Sequence, residues 1–269
     1  MNIIILPSDW NATNFFIENP DRYSILRIDL DADGFMRDST RPSDCFSVII
    51  NPQSEDFLDR LTDFIAYENF HGRCVLIHSP DFDIETSLNY RRHPSNYVRK
   101  NDQAFAVHST LLTSYELIIK DGCLKSTARL NKEGANKKAI GVEQLGEPKD
   151  YLDYIMFAVL DGKGSGSELL VNSYLIGKVC FEPDVPYKPQ ARMYFDVHKI
   201  IKDGLAIRDG IHLIKVFDVL PLDDYLLLTV LEKDAALPDG ETYWTPSLFK
   251  KYANDFFFEF IRDSGVDTK

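Results

Sequence analysis

The residues best placed to do chemistry are Phe105-Ala106-Val107-His108-Ser109-Thr110, followed by Ile118, Gly122, Leu124 and Ser126. A histidine at a strand's end, a hydroxyl pair after it and a short helix closed by glycine build a shallow pocket with fixed donors. In such a pocket the His108 imidazole can hydrogen-bond a sugar hydroxyl, and Thr110 can orient the ring or touch the sugar itself. The backbone of Ser109 is available to a planar carboxamide. The plainer alternative for His108 is a hydrogen-bonded histidine at a strand end, a frequent arrangement.

This segment resembles the first motif of the ADP-ribosyltransferase superfamily, in which a His-x-Thr/Ser strand precedes a helix ending near Gly-Leu and the histidine holds an NAD ribose. It is most similar to the nucleic-acid-modifying ADP-ribosyltransferase toxins and the RNA 2′-phosphotransferases. A second stretch supports the latter: Tyr194-Phe195-Asp196-Val197, Ile200, Asp203-Gly204, Gly210-Ile211-His212-Leu213-Ile214 and Leu220-Pro221 resemble their late strand, Asp-Gly turn and strand. The resemblance spans roughly residues 104–228. It implies NAD as substrate, with His108, Ser109 and Thr110 in its pocket and Tyr154 as the aromatic stacked on nicotinamide. It also implies an acceptor macromolecule, nucleic acid or protein, and a toxin or phage-defence role with an antitoxin or regulatory protein as partner.

One position departs from the family pattern. The transferases place a Glu at the start of a late strand, where it stabilises the cationic transition state. Here the corresponding stretch reads Asp209-Gly210-Ile211-His212. Asp209 or His212 is the expected substitute, with Glu232 or Glu241 in reserve. The 2′-phosphotransferases lack that Glu and grip phosphate with arginine and histidine. Arg91, Arg92, Arg99, Arg129, Arg192 and Arg208 are the available guanidinium groups, and Arg192 is counted among the cofactor-binding residues. The alternatives to ADP-ribosyl transfer are 2′-phosphate removal and a non-catalytic interaction protein with a degenerate pocket.

Two other motifs carry less. Asp29-Leu30-Asp31-Ala32-Asp33-Gly34 matches the front of a calcium loop, but Thr40 stands where a bidentate Glu belongs, so a strand ending in an acidic turn is expected. Gly162–Ser167 lacks the Gly-Lys-Ser/Thr ending of a phosphate loop and reads as a hinge. Cys45, Cys74, Cys123 and Cys180 are scattered, which excludes paired-ligand zinc and redox motifs, and no metal is expected.

The elements that must position His108 follow from periodicity. Ser24–Leu30, Phe46–Ile50 and Arg73–His78 read as strands. Asn51 with Pro52 is expected to start a helix whose apolar face is Phe57, Leu61, Phe64 and Ile65, ended by Gly72. Residues 80–102 read as a basic linker or a loop folded against the next domain. Ala104–His108 is the next strand, and Thr113-Ser114-Tyr115-Glu116 reads as a capping box stapled by Leu112 and Leu117. Residues 125–149 read as a mobile polar loop, Tyr154–Leu160 as a strand and Ser167–Cys180 as helical. Arg192–Val197, Leu205–Arg208 and Ile211–Phe217 read as strands separated by Asp-Gly turns. Thr245 with Pro246 starts a last helix lined by Phe249, Tyr252, Phe256 and Phe260.

These elements predict an α+β fold. A small α/β unit with its basic linker occupies residues 1–102. A domain over 103–269 comes after it, which the resemblance makes an ADP-ribosyltransferase-like split mixed/antiparallel sheet with flanking helices. The 269 residues, 44% hydrophobic, suffice for one large core or two small ones. No apolar run reaches the ~18–20 residues needed to cross a bilayer, and Met1–Pro7 reads as a strand rather than a signal peptide, so a cytoplasmic protein with no membrane partner is expected. The net charge of −12 argues against a general nucleic-acid binder. It is uneven, however: residues 1–90 carry 6 basic and 16 acidic side chains, whereas residues 91–138 carry 10 and 4. The basic stretch surrounds His108, either as an anion-binding face or as a solvated surface.

Overall fold

The computed structural model describes residues 2–10, 18–32, 35–37, 45–137, 140–160, 167–180 and 182–264. It is a mixed α+β structure that divides into two compact units. The first comprises residues 1–97, 141–152 and 207–212; the second comprises 98–140, 153–206 and 213–269. The first unit is thus discontinuous, recruiting two later segments that no local pattern announces. Among the described residues no helix is long and apolar enough to cross a membrane.

In the first unit, strands β1 (Ile3–Ile5), β2 (Tyr23–Ile28), β3 (Phe35–Arg37), β4 (Phe46–Ile50) and β5 (Cys74–His78) form a sheet of order β1-β5-β2-β4-β3. The first four in that order are parallel and β3 is antiparallel at the edge. Parallel strands are covered on both faces, which explains why β2, β4 and β5 bury nearly continuous apolar runs instead of alternating. Helix α1 (Phe57–Phe70) is the crossover from β4 to β5. It buries Phe57, Leu61, Phe64 and Ile65 as expected. Its start differs from the expectation: Asn51 accepts from the Gln53 N–H and donates to the Leu30 and Ala32 carbonyls, making an Asx turn that closes the end of β2, and the helix begins six residues later. Gly72, at φ +78°, leads out of the helix.

At the far end of α1 a buried charge cluster fastens the unit. Glu68 is fully buried and accepts from Ser24 and from Arg73. The other side of the Arg73 guanidinium binds Asp150 at 2.6 Å, and Tyr67 Oη donates to the same carboxylate at 2.9 Å. Burial pushes the Asp150 carboxyl up, but its hydrogen bond to Arg73 and that residue's charge outweigh burial, and the net shift is downward from 3.8. A depressed carboxyl contributes stability that is present above its unfolded value and lost as pH falls through the folded one. Acid unfolding of the wild type is therefore expected to set in below about pH 4. Asp150→Asn should be less stable at neutral pH and show a shallower acid limb in circular dichroism; identical acid limbs would contradict this role.

Gly210 closes against α1 in the same unit. At φ +76°, an added Cβ would lie 2.3 Å from the Arg60 carbonyl oxygen and 3.0 Å from Phe64. Gly72 also has positive φ, but nothing lies within 4 Å of its missing Cβ. Gly72→Ala is expected to cost about 1–2 kcal/mol of conformational strain alone, and Gly210→Ala a further ~1–3 kcal/mol because backbone must move. Urea midpoints of the two variants check the order.

The second unit contains β6 (Phe105–Thr110), α2 (Leu112–Asp121), β7 (Cys123–Lys125), α3 (Thr127–Lys132), β8 (Tyr154–Phe157), α5 (Ser167–Ile176), β9 (Ala191–Asp196) and α6 (Val197–Lys202), α4 (Ile140–Leu145) falling almost wholly in the first unit. β11 (Ile214–Phe217), β12 (Val219–Pro221), β13 (Leu226–Val230) and α7 (Pro246–Ser264) complete it, and the two-residue β10 (Ala206–Ile207) has one residue in each unit. Strands β13-β9-β6 form one antiparallel sheet, β11 pairs antiparallel with β8, and β12 with β7. The alternation of β6 and β9 divides the interior in two. Ala106, Met193 and Phe195 face one core with Phe157 and Ile214. Phe105, Val107 and Tyr194 face another, built with Phe249, Ala253 and Phe257 of α7.

Several local expectations change here. The residues read as a capping box lie inside α2, whose first N–H is met by the Gln190 side-chain amide, a long-range cap that local sequence cannot reveal. Gly122 ends α2 as expected, at φ 65°. The stretch 125–149 is no open loop: Ser126 caps α3 by accepting from the Arg129 N–H, and α4 comes next. β11 starts at Ile214, not Ile211, because Asp209 draws residues 209–212 into a turn. Thr245 caps α7 as expected, but the helix buries Phe249, Ala253, Phe257 and Ile261, leaving Phe256 at the surface. The predicted hinge at 162–166 and the end of the acidic turn at Asp33-Gly34 lie outside the described residues.

Candidate functional site

His108 sits where the second unit's sheets part. Among the described residues the only bridge from β6 toward the β8 segment pairs Val107 with Ala158, the residue just after β8. Those two exchange both backbone bonds, at 2.9 and 3.0 Å. In a continued antiparallel ladder the next bonded pair would be Ser109 with Met156. Instead the Met156 carbonyl meets His108 Nδ1 at 3.4 Å, so a side chain takes the place of a ladder bond and the strands diverge. The imidazole also lies 6.0 Å from the Phe157 ring, tilted 58°. It keeps a partly exposed edge, yet burial lowers its basicity from the ordinary 6.5, and the carbonyl bond only partly offsets that. The ring is neutral at physiological pH, with Nδ1–H toward Met156 and the Nε2 lone pair left to accept.

The backbone around it is oriented just as definitely. Val197 N–H bonds the Ala104 carbonyl on the β9 side, and the β6–β9 register runs without a shift from Phe105 to Thr110. Backbone groups alternate along a strand, so Ser109 directs its N–H and C=O the same way as Val107, toward β8. Past Val107, among the described residues, no backbone bond continues the ladder along that edge. Thr110 shares the His108 face, partly exposed at the end of β6.

The opposite face of the sheet holds Ser109's hydroxyl in a buried polar network. Ser109 Oγ donates to Glu168 Oε1 at 2.6 Å and lies 2.8 Å from Ser167 Oγ. Arg192, expected to bind cofactor, is fully buried here. Its guanidinium grips both Glu168 oxygens at 2.7 and 2.6 Å, Tyr194 Oη at 2.9 Å, Asn254 Oδ1 at 2.8 Å and the Leu160 carbonyl at 3.2 Å. Burial works against the Arg192 charge, but Glu168 and Tyr194 outweigh it and the cation is held more firmly than usual. The structure thus gives Arg192 an internal role where a phosphate contact was expected. Glu168, Tyr194 and Asn254 were missed in the sequence. The signal was present: an arginine inside the apolar strand Ala191–Phe195 demands a buried carboxylate.

Tyr154 opens β8 as expected, but its ring is buried. It packs on Phe217 at 5.7 Å and lies 5.6 Å from the Lys215 ammonium, while the ring meeting His108 is that of Phe157. Asp209 and His212 belong to the first unit. Asp209 is fully buried, accepts from the Ile211 and His212 N–H groups, and accepts from His212 Nδ1 at 2.8 Å. The structure therefore groups His108, Ser109, Thr110, Tyr154 and Arg192 in one unit and the Asp209–His212 pair in the other. Two cations of the basic stretch are paired within it: Lys125 with Asp121 and Glu133, and Arg129 with Glu133. Comparison with protein-family models, curated proteins and solved structures gives no match for this chain.

Proposed function

We propose that this chain is an NAD-dependent ADP-ribosyltransferase, its second unit an ADP-ribosyltransferase-like split sheet, that transfers ADP-ribose to a nucleic-acid or protein acceptor. One observation carries the reading: beside a neutral, partly exposed histidine, Ser109 turns a backbone donor and acceptor toward the edge where, among the described residues, the pairing of β6 with the β8 segment stops. A carboxamide offers the complementary acceptor and donor in one plane, so Ser109 pairs with nicotinamide as a missing strand would. His108 Nε2 accepts from a ribose hydroxyl, and its neutrality avoids repulsion with the sugar's developing positive charge. Glu168 and Arg192 act behind the sheet as positioning residues, holding the Ser109 side chain away from the ligand. The bond that breaks joins C1′ of the ribose to the nicotinamide nitrogen, which takes the bonding pair. The acceptor's lone pair then closes on the oxocarbenium-like carbon and its proton passes to solvent.

Removal of an RNA 2′-phosphate is the weaker reading. Two of the arginines available to grip phosphate are spent inside the protein, Arg192 on Glu168 and Arg208 on the Ser95 and Tyr97 carbonyls. The deciding experiment incubates the protein with NAD labelled in the ADP-ribose portion and total cell extract. Nicotinamide release with label in nucleic acid or protein is the expected result. Absence of calorimetric NAD binding together with absence of label would reject the proposal.

A further inference from the structure

Independently of the NAD reading, we propose that the first unit carries a second ligand site, one for a primary ammonium group. It lies beyond the carboxyl end of β4, between the loop leading into α1 and the segment 82–90, where parallel sheets hold their ligands. The hollow has a volume of about 400 Å³ and shares Leu58, Ser87 and Tyr90 with a neighbour of about 330 Å³.

Its walls are aromatic. Phe57 and Phe82 meet edge to face at 5.4 Å, and Tyr90 closes the side. Glu55 and Asp59 supply carboxylates, and no lysine or arginine is among the lining residues. Tyr90 Oη donates to Asp59 Oδ1 at 3.3 Å, which orients that carboxylate. Ser87 is nine-tenths buried and lines both hollows, and among the described residues no hydrogen bond engages its hydroxyl. An ammonium has three N–H donors and no acceptor. Two carboxylates and a hydroxyl oxygen satisfy all three, while ring faces add cation–π attraction. The aliphatic stem of such a ligand would lie along Leu58 into the second hollow. An anion is excluded by the same carboxylates.

The shared chemistry fits a free polyamine or a lysine side chain, and the test separates them. Spermidine, 1,4-diaminobutane and Nα-acetyl-lysine amide are titrated in turn into the full chain, with binding read from amide shifts at Ser87, Tyr90 and Asp59. Saturable shifts confined to this hollow are expected with at least one probe. Spermidine alone would indicate a free polyamine, and comparable binding of the lysine amide a protein-borne ammonium. Asp59→Asn and Ser87→Ala should each weaken binding by roughly tenfold or more while circular dichroism stays unchanged. The control removes the same single charge at an exposed position elsewhere, Asp239→Asn, and should leave affinity within about twofold. Shifts spread over the acidic surface, or equal sensitivity to the control and to Asp59→Asn, would overturn the proposal, as would no binding by any probe.

Discussion

Arg192→Ala is expected to lower the stability of the second unit by about 3–5 kcal/mol, because it leaves the Glu168 carboxylate buried without its cation. Against a typical domain stability of about 5–15 kcal/mol, much of the population would unfold at physiological temperature. The reason is geometric: the guanidinium binds β9's own Tyr194, Glu168 of α5, the Leu160 carbonyl and Asn254 of α7, so one side chain joins the sheet to both helices covering it. Glu168→Gln should be nearly as costly, since it strands the opposite charge. Replacing the pair together, Arg192→Met with Glu168→Leu, should recover most of the loss, as buried ion pairs exchanged for apolar pairs commonly do. Tyr194→Phe removes one neutral partner and should cost about 1–2 kcal/mol. Chemical denaturation of the four variants decides it. Losses that simply add in the double variant would show that the network is not coupled.

The second large effect is functional. His108→Ala should reduce NAD turnover by about a hundredfold, through lost positioning of the ribose, and weaken NAD binding by roughly tenfold. The thermal transition should stay close to the wild type, because the imidazole makes one long bond, to Met156. Ser109 separates backbone from side chain. Ser109→Ala keeps the carboxamide contacts and gives up the Glu168 bond. Ser109→Pro deletes the N–H that points into the split, and at an open strand edge it sacrifices no ladder bond. The proline variant should lose NAD binding and the alanine variant retain it; the reverse order would exclude a backbone-read carboxamide. Binding should persist to lower pH than an imidazole of ordinary basicity would allow, since burial lowers the basicity of His108.

What could be read in the sequence was whatever depends on near neighbours along the chain. The β4 strand, the buried face of α1, the glycine stops at Gly72 and Gly122, and the Thr245 cap all arise from periodicity and turn chemistry. The strand carrying His108 belongs to the same class, although β6 runs on to Thr110 and leaves His108 two residues short of its end. What could not be read depends on partners far away in sequence. Gln190 caps α2 from 78 residues off, and Asn51 spends its side chain on residues 30 and 32 instead of on a helix. Arg192 looked like an open cation because its neutralising Glu168 comes 24 residues earlier, on a different element. The strand attributed to Ile211 dissolves for a nearer reason: Asp209 offers its carboxylate to the Ile211 and His212 N–H groups, and a turn wins over an extended chain.

The discontinuity of the first unit bears on how the chain is made. Its sheet is complete in sequence by residue 78, yet Arg73 must wait for Asp150, the Ser95 and Tyr97 carbonyls for Arg208, and the groove beside Arg60 for Gly210. A ribosome releasing the chain from its N-terminus therefore delivers a sheet whose buried cation lacks one partner until the middle of the second unit has been synthesised. Cutting after residue 97 would not liberate a finished module, and the two halves are obliged to mature together.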